Sequence, residues 1–159
     1  MTERRADGLI LFGITGDLAH KRLFPAIYHL AADGELVDPV VGVGRTEGDD
    51  ADLRGRAAAS LVDAGIDVDQ EVFDEVANSL CYVQGDYRDH DTYRTIAERL
   101  GDRDCAVAYL AIPPSLFDDV VSGLAEAGLH RNGRLVVEKP FGRDTKSAKE
   151  LNGVIHRFY

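Results

Sequence analysis

The chain alternates between short, almost wholly apolar runs and longer segments in which apolar residues recur every three or four positions. The apolar runs cover residues 9–12, 39–45, 80–85, 105–112 and 134–138. Runs of this length are too short for core helices and are typical of strands buried on both faces of a parallel sheet. The pattern therefore predicts five buried strands.

The segments between these runs have helical periodicity. Helices are predicted after the first strand and over 49–64, 69–80, 93–100, 117–124 and 148–158. In the first helix, Asp17 is expected to cap the start and Pro25 to kink or restart the helix, because proline has no N–H. Alternating strands and helices predict an α/β fold, a Rossmann-type doubly wound parallel sheet in three layers.

The turn after the first strand carries Gly13 and Gly16, and helix-forming residues follow at once. Such a turn exposes N–H groups at the positive end of a helix, which is suited to a phosphate. The spacing is G-x-x-G-x-x-A, in which the small Ala19 lets helix and strand approach. A tight turn without a ligand is the alternative. A nucleotide-triphosphate P-loop is excluded, because Ile14 stands where that loop needs lysine.

Composition and charge narrow the functional classes. The 159 residues suffice for one domain, with 45% hydrophobic and 29% charged residues. The formal net charge of -10 argues against nucleic-acid and anionic-membrane partners. Cys81 and Cys105 form no C-x-x-C motif, so neither a metal nor a disulfide is predicted. No signal peptide or membrane span is recognisable, and we expect a cytoplasmic location.

Candidate chemistry lies at the carboxyl ends of the predicted strands, where ligands bind in such sheets. Arg45 ends the second strand, where arginine accommodates the 2′-phosphate of NADP, although Glu47 could instead serve the ribose of NAD. Lys139 ends the fifth strand and could hydrogen-bond a substrate hydroxyl. The five histidines lie in helices or loops, so none is assigned to catalysis.

Four motifs resemble the glucose-6-phosphate dehydrogenases, in the same order and over nearly the whole chain. They are GITGDLA at 13–19, GVGRT at 42–46, YLAIPP at 109–114 and VEKPFGRD at 137–144. The resemblance implies an oxidoreductase that passes a hydride from C1 of glucose 6-phosphate to NADP, giving 6-phosphogluconolactone. This reaction is the first step of the pentose phosphate pathway.

The resemblance also implies roles for individual residues. Arg45 and Thr46 would hold the 2′-phosphate, and Lys139 would bridge cofactor and substrate beside Pro140, which is cis in that family. The loop that cradles the pyrophosphate would consist of Gly13, Ile14, Thr15 (as a donor), Gly16, Asp17, Leu18 and Ala19. Further cofactor contacts are expected from Asp86, Tyr87, Ala111, Pro113 and Glu138.

The family's substrate motif R-I-D-H-Y-L-G-K-E is absent from residues 1–159, as is the second domain that carries the catalytic histidine and the dimer contacts. We therefore expect a coenzyme domain that binds NADP, or NAD, without turnover, while the full-length protein forms a homo-oligomer. Two alternatives stay open. One is the Rossmann domain of another Glu-Lys-Pro-bearing sugar oxidoreductase, and the other is a stand-alone NADP-sensing module.

Overall fold

The protein forms one five-stranded parallel sheet. The computed structural model describes residues 5–138, 149, 152, 153, 155, 156 and 159. The strands are β1 (Gly8–Phe12), β2 (Val40–Gly44), β3 (Leu80–Gln84), β4 (Ala106–Leu110) and β5 (Arg134–Val137). Their order in the sheet is β3-β2-β1-β4-β5. All five predicted strands are confirmed, and the sheet has the predicted Rossmann-type arrangement, in which the chain winds outward from β1 in both directions.

The register aligns the carboxyl ends of the strands along one edge. Phe12, the last residue of β1, lies opposite Val43 of β2 and Leu110 of β4. Gly44 lies opposite Gln84 of β3, and Leu110 lies opposite Val137 of β5. The turns that follow β1 to β4, and Glu138 directly after β5, therefore line a single edge of the sheet.

Helices cover both faces of the sheet. They are α1 (Phe24–Ala32), α2 (Asp50–Asp63), α3 (Gln70–Ser79), α4 (His90–Leu100) and α5 (Phe117–Glu126). One buried cluster joins the sheet to α4 and α5, and a second joins its other face to α1, α2 and α3. Both clusters draw on β1, because Ile10 and Phe12 point to the first and Leu11 to the second. The predicted three layers are confirmed.

The first helix consists of two parts. A π-helical turn over Ala19–Leu23 is followed by α1, which has Pro25 in its first turn. Because proline lacks an N–H and its ring disfavours a continuous α-helix, the α-helix restarts at Phe24. The predicted cap by Asp17 is wrong: Leu18 occupies the cap position, with no side-chain cap hydrogen bond, and Asp17 is exposed. Gly34, at φ +72°, closes α1.

Part of the last predicted helix lies outside the described residues. Lys149, Asn152, Gly153, Ile155 and His156 are helical. The Tyr159 N–H donates to the Ile155 carbonyl at 2.9 Å, and both side chains pack against the cluster formed by α4 and α5. Within the described part of the chain, no helix has the length and apolarity needed to cross a membrane.

Candidate functional site

Gly13 begins the turn at the carboxyl end of β1, where two backbones come into contact. It has φ +83°, and a Cβ on it would lie 2.1 Å from the carbonyl oxygen of Ala111. The Ala111 N–H donates to the Phe12 carbonyl at 3.0 Å, which holds the chain leaving β4 against the turn. Gly13 is therefore required by the fold, since any other residue would separate β1 from β4.

Gly16 has a different environment. Its φ lies outside the left-handed region, and a Cβ would meet only the Gly13 carbonyl oxygen, at 3.3 Å. The residue is exposed, and its carbonyl accepts the His20 N–H at 3.2 Å, which starts the helix. A side chain here would therefore make one tight contact, which a shift of a few tenths of an ångström relieves, and not the backbone overlap found at Gly13. Because Gly16 has no side chain, the space in front of the loop stays open.

The remaining residues of the turn divide between packing and exposure. Ile14 is buried, and its N–H donates to the Val43 carbonyl at 3.2 Å. Its side chain lies over Gly42, where a Cβ would approach it to 2.9 Å. Ala19 is fully buried against the sheet, while Leu18 is half-buried. We call residues 13–19 the nucleotide loop, because they occupy the position at which phosphate is expected.

Arg45, directly after β2, forms an ion pair with Asp86, directly after Gly85 at the end of β3. The Arg45 Nη2 group donates to Asp86 Oδ2 at 3.2 Å, and the two side chains are 62% and 51% exposed. The Arg88 backbone N–H, which donates to the same carboxylate, lowers the pKa of Asp86, and Arg45 lowers it further. Asp86 thus stays ionised and orients a guanidinium whose other N–H groups remain available.

Thr46 connects three elements at this edge. Its hydroxyl donates to Thr15 Oγ1 at 3.2 Å, and its carbonyl accepts the hydroxyl of Tyr82 from β3 at 2.5 Å. Gly44 makes the approach possible, because a Cβ there would lie 3.0 Å from both Thr15 Oγ1 and the Tyr82 hydroxyl oxygen. Sequence reasoning missed Tyr82. The sequence shows only a tyrosine in a predicted strand, because its place beside Gly42 in the ladder follows from the strand order.

Two acidic residues that follow Arg45 in the chain, Asp49 and Asp52, form hydrogen bonds at the start of α2. Asp49 accepts the Asp52 N–H and Asp52 accepts the Asp49 N–H, both at 2.9 Å, which forms a capping box. The Asp52 N–H also lowers the pKa of Asp49. A small cavity lies between this box and the sheet, lined by Thr15, Thr46, Glu47, Arg56, Tyr82 and others. The acidic side chains are thus turned towards the helix start.

Tyr87, Ala111 and Pro113 also lie at this edge of the sheet. Tyr87 is buried, and its ring packs edge-on against Phe12 with 5.8 Å between ring centroids. Burial raises the pKa of its phenol. Pro113 is exposed, and its carbonyl accepts the Leu116 N–H at 3.0 Å, which starts a short 3₁₀ turn. These residues lie where they were predicted to lie, and their contact with a cofactor stays a prediction.

Glu138 follows β5 and accepts a hydrogen bond from the hydroxyl of Tyr109 in β4. Sequence reasoning assigned Glu138 to the cofactor and gave Tyr109 no role. Lys139 and Pro140, predicted to contact substrate and cofactor, lie outside the described residues. The roles of both residues and the predicted cis bond between them stay predictions.

The chain matches the family model for the NAD-binding domain of glucose-6-phosphate dehydrogenase over residues 10–159. The chain belongs to this family. Glucose-6-phosphate 1-dehydrogenase 1 of Mycobacterium tuberculosis is 40% identical over 147 residues, which cover 92% of this chain and 31% of the relative. The enzyme of Aggregatibacter actinomycetemcomitans is 33% identical over 171 residues, covering 95% of this chain and 33% of the relative.

Solved structures of the glucose-6-phosphate dehydrogenase family have the same fold. The Mycobacterium avium enzyme superimposes with a TM-score of 0.93 at 40% identity, over 98% of this chain and 34% of that structure. A glucose-6-phosphate dehydrogenase in complex with its substrate glucose 6-phosphate superimposes with a TM-score of 0.82 at 31% identity, over 100% and 36%. This chain therefore spans about a third of the length of the relatives it matches.

The catalytic histidine that the sequence resemblance implies has no counterpart among the described residues at the carboxyl edge. Three histidine side chains contact residues away from this edge. His20 contacts Asp63, His90 contacts Glu126, and the His130 ring packs against Tyr159. His29 lies in the last turn of α1. Among the described residues, no group of three or more His, Cys, Asp or Glu side chains could hold a metal ion.

Proposed function

We propose that this chain is the NADP-binding domain of a glucose-6-phosphate dehydrogenase. In such an enzyme a hydride passes from C1 of glucose 6-phosphate to NADP, giving 6-phosphogluconolactone in the pentose phosphate pathway. The observation that carries the cofactor assignment is Arg45, at the end of β2 and beside the nucleotide loop, with its guanidinium oriented by Asp86 at 3.2 Å. A cytoplasmic, homo-oligomeric full-length enzyme is part of the same proposal.

The nucleotide loop fits a dinucleotide pyrophosphate at Gly16. The fold constrains this position only weakly, since its φ is not left-handed and an added Cβ would make one tight contact, with the Gly13 carbonyl oxygen at 3.3 Å. A phosphate close to the loop does require glycine, because a side chain would fill the space in front of the helix start. Thr15 adds a hydroxyl whose oxygen accepts from Thr46 and whose hydrogen is free to be donated to a phosphate oxygen.

NADP is favoured over NAD by the groups at the end of β2. The 2′-phosphate of NADP would receive N–H donors from Arg45, whose planar fork matches phosphate oxygens. Thr46 would add a hydroxyl beside it. Glu47 is exposed and is the only acidic side chain of this loop outside the capping box, so it is the group that would serve an NAD ribose.

The bound nicotinamide supplies the hydride acceptor of the reaction. The described residues of this chain would bind the dinucleotide and orient it along the carboxyl edge of the sheet. Glu138, held by the Tyr109 hydroxyl, fixes the end of β5 from which Lys139 follows. We propose that Lys139 contacts both nicotinamide and sugar, and that the base which removes the hydroxyl proton belongs to another part of the family's fold.

The test is a comparison of NADP and NAD binding by calorimetry for the wild-type chain and for Arg45→Ala. Hydrogen bonds to a charged group contribute about 1.5–3 kcal/mol, so we expect NADP affinity to fall roughly ten- to a hundredfold. NAD has no 2′-phosphate and should bind nearly as before.

The matched control is Arg94→Ala, which removes an exposed arginine on α4 whose ion pair joins it to Asp91 within the same helix. It should change neither affinity. If Arg45→Ala weakens NADP and NAD equally, Arg45 does not bind the 2′-phosphate, and Glu47 becomes the group that determines the cofactor. If the wild-type chain binds neither dinucleotide, the proposal fails.

A further inference from the structure

The π-helical turn after the nucleotide loop leaves one carbonyl without a partner in its own helix. The Phe24 N–H donates to the Ala19 carbonyl, five residues back, instead of to the His20 carbonyl. The next amide along the chain belongs to Pro25, which has no hydrogen to donate. The His20 carbonyl therefore depends on a donor from outside the helix, because an unpaired backbone carbonyl in a partly buried place is costly.

That donor comes from α2. Ser60 is fully buried, and its hydroxyl donates to the His20 carbonyl. One turn further along the same helix, Asp63 Oδ2 lies 2.6 Å from His20 Nε2. Helix α2 thus holds both the backbone and the side chain of His20.

His20 in turn is bonded directly to the nucleotide loop. Its N–H donates to the Gly16 carbonyl at 3.2 Å, and the Gly16 N–H donates to the Gly13 carbonyl at 3.0 Å. A continuous chain of hydrogen bonds therefore runs from Ser60 through His20 to Gly16 and Gly13. The position of Gly16 is fixed from both sides, by Gly13 at the sheet and by α2 behind the helix.

We propose that Ser60 is a positioning residue for pyrophosphate binding, with Asp63 as its auxiliary. Ser60 does not touch the ligand: it holds the π-helical turn so that the nucleotide loop keeps the shape that receives phosphate. The inference rests on the proposed function, because it assumes that residues 13–19 bind a pyrophosphate. The proposal assigns the two residues to different parts of the cofactor. Arg45 would bind the 2′-phosphate, whereas Ser60 would support binding of the pyrophosphate, which NAD and NADP share.

The test uses the 159-residue chain and four ligands: ADP, NAD, NADP and adenosine 2′-monophosphate. Ser60→Ala should raise the Kd of ADP, NAD and NADP in parallel, by about three- to tenfold, the range of one neutral hydrogen bond. Adenosine 2′-monophosphate has no pyrophosphate, so its Kd should be unchanged. A merely structural role would not distinguish these ligands.

Ser79→Ala is the matched control. Ser79 is also a buried helical serine that donates to a backbone carbonyl, that of Val76 at 2.8 Å, but it lies in α3 and its hydrogen bond stays within that helix. This variant should leave all four affinities unchanged. Urea unfolding of each variant shows whether the fold is retained.

Each outcome decides the proposal. If wild type binds ADP and folded Ser60→Ala binds it equally well, Ser60 has no positioning role. Equal losses for ADP and adenosine 2′-monophosphate also overturn it. If Ser60→Ala does not fold, Asp63→Ala replaces it, because Asp63 is exposed. Its affinity for the pyrophosphate ligands alone should then fall about twofold. Unchanged affinity of this variant would overturn the proposal. If the wild-type chain binds no pyrophosphate ligand, the proposed function itself fails.

Discussion

Gly13 and Gly16 are three residues apart and the sequence gives no means of distinguishing them, but their surroundings differ. At Gly13 a Cβ would lie 2.1 Å from a carbonyl oxygen of the neighbouring chain, whereas at Gly16 it would meet only its own loop, at 3.3 Å. The first glycine is therefore required by the fold, whereas for the second we propose that a bound phosphate requires it. The same distinction applies to Ile14 and Thr15, of which one is buried and the other presents a hydroxyl at the edge.

This difference predicts opposite outcomes for two substitutions. Gly16→Val should fold and lose dinucleotide binding, because the side chain would occupy the phosphate position. Gly13→Ala should instead lower the free energy of unfolding strongly, because of its left-handed φ and the contact with Ala111. Urea unfolding and NADP titration of both variants check this. Tight NADP binding by a folded Gly16→Val variant would show that the pyrophosphate lies elsewhere.

At the scale of elements, α2 has two functions that its sequence pattern does not separate. Its buried residues Leu53, Ala57 and Leu61 form the apolar face that packs on the sheet. Ser60 and Asp63, on an adjacent strip, hold the π-helical turn of the first helix. The second function arises only because Pro25 and the π register leave a carbonyl of that turn unpaired.

The opposite side of α2 allows a test of helix stability that leaves the site unchanged. Gly55 is exposed in the middle of α2, and a Cβ there would meet no atom within 4 Å. Gly55→Ala should raise the free energy of unfolding by about 0.5–1 kcal/mol, because alanine loses less backbone entropy in a helix. The control is Gly101→Ala after α4, where φ is +62° and alanine should destabilise. Urea unfolding measures both, and a neutral Gly55→Ala would indicate fraying of α2.

At the scale of the whole molecule, the described residues supply the cofactor side of the site that we propose. The residues that we propose to bind the cofactor lie along the carboxyl edge of the sheet, from Asp86 to Glu138, and none of the five histidines lies there. The chain also spans about a third of the length of its relatives. Removal of a sugar hydroxyl proton requires a base within roughly 2.6–3.2 Å, and the sugar phosphate requires its own anchor.

We therefore expect the 159-residue chain to bind NADP without producing NADPH from glucose 6-phosphate. Absorbance at the NADPH band, recorded with a mass-verified preparation at saturating NADP and sugar phosphate, measures this directly. Gly16→Val is the control for a contaminating full-length enzyme, because any trace activity that survives this substitution does not come from the chain. Sustained turnover that disappears in Gly16→Val would show that a base lies within residues 1–159.

The sequence by itself determined the five strands, the helices between them and the edge that carries the chemistry, because apolar periodicity and the positions of glycine and proline act locally. Even the interruption of the first helix followed from Pro25. Only the tertiary structure decided which glycine meets a backbone and which faces open space, since the partner of Gly13 is almost one hundred positions away at Ala111. It also decided the partners of Arg45, Thr46 and His20, which are Asp86, Tyr82 and Ser60. These contacts depend on strand order and on helix packing, which bring together side chains that no local pattern relates.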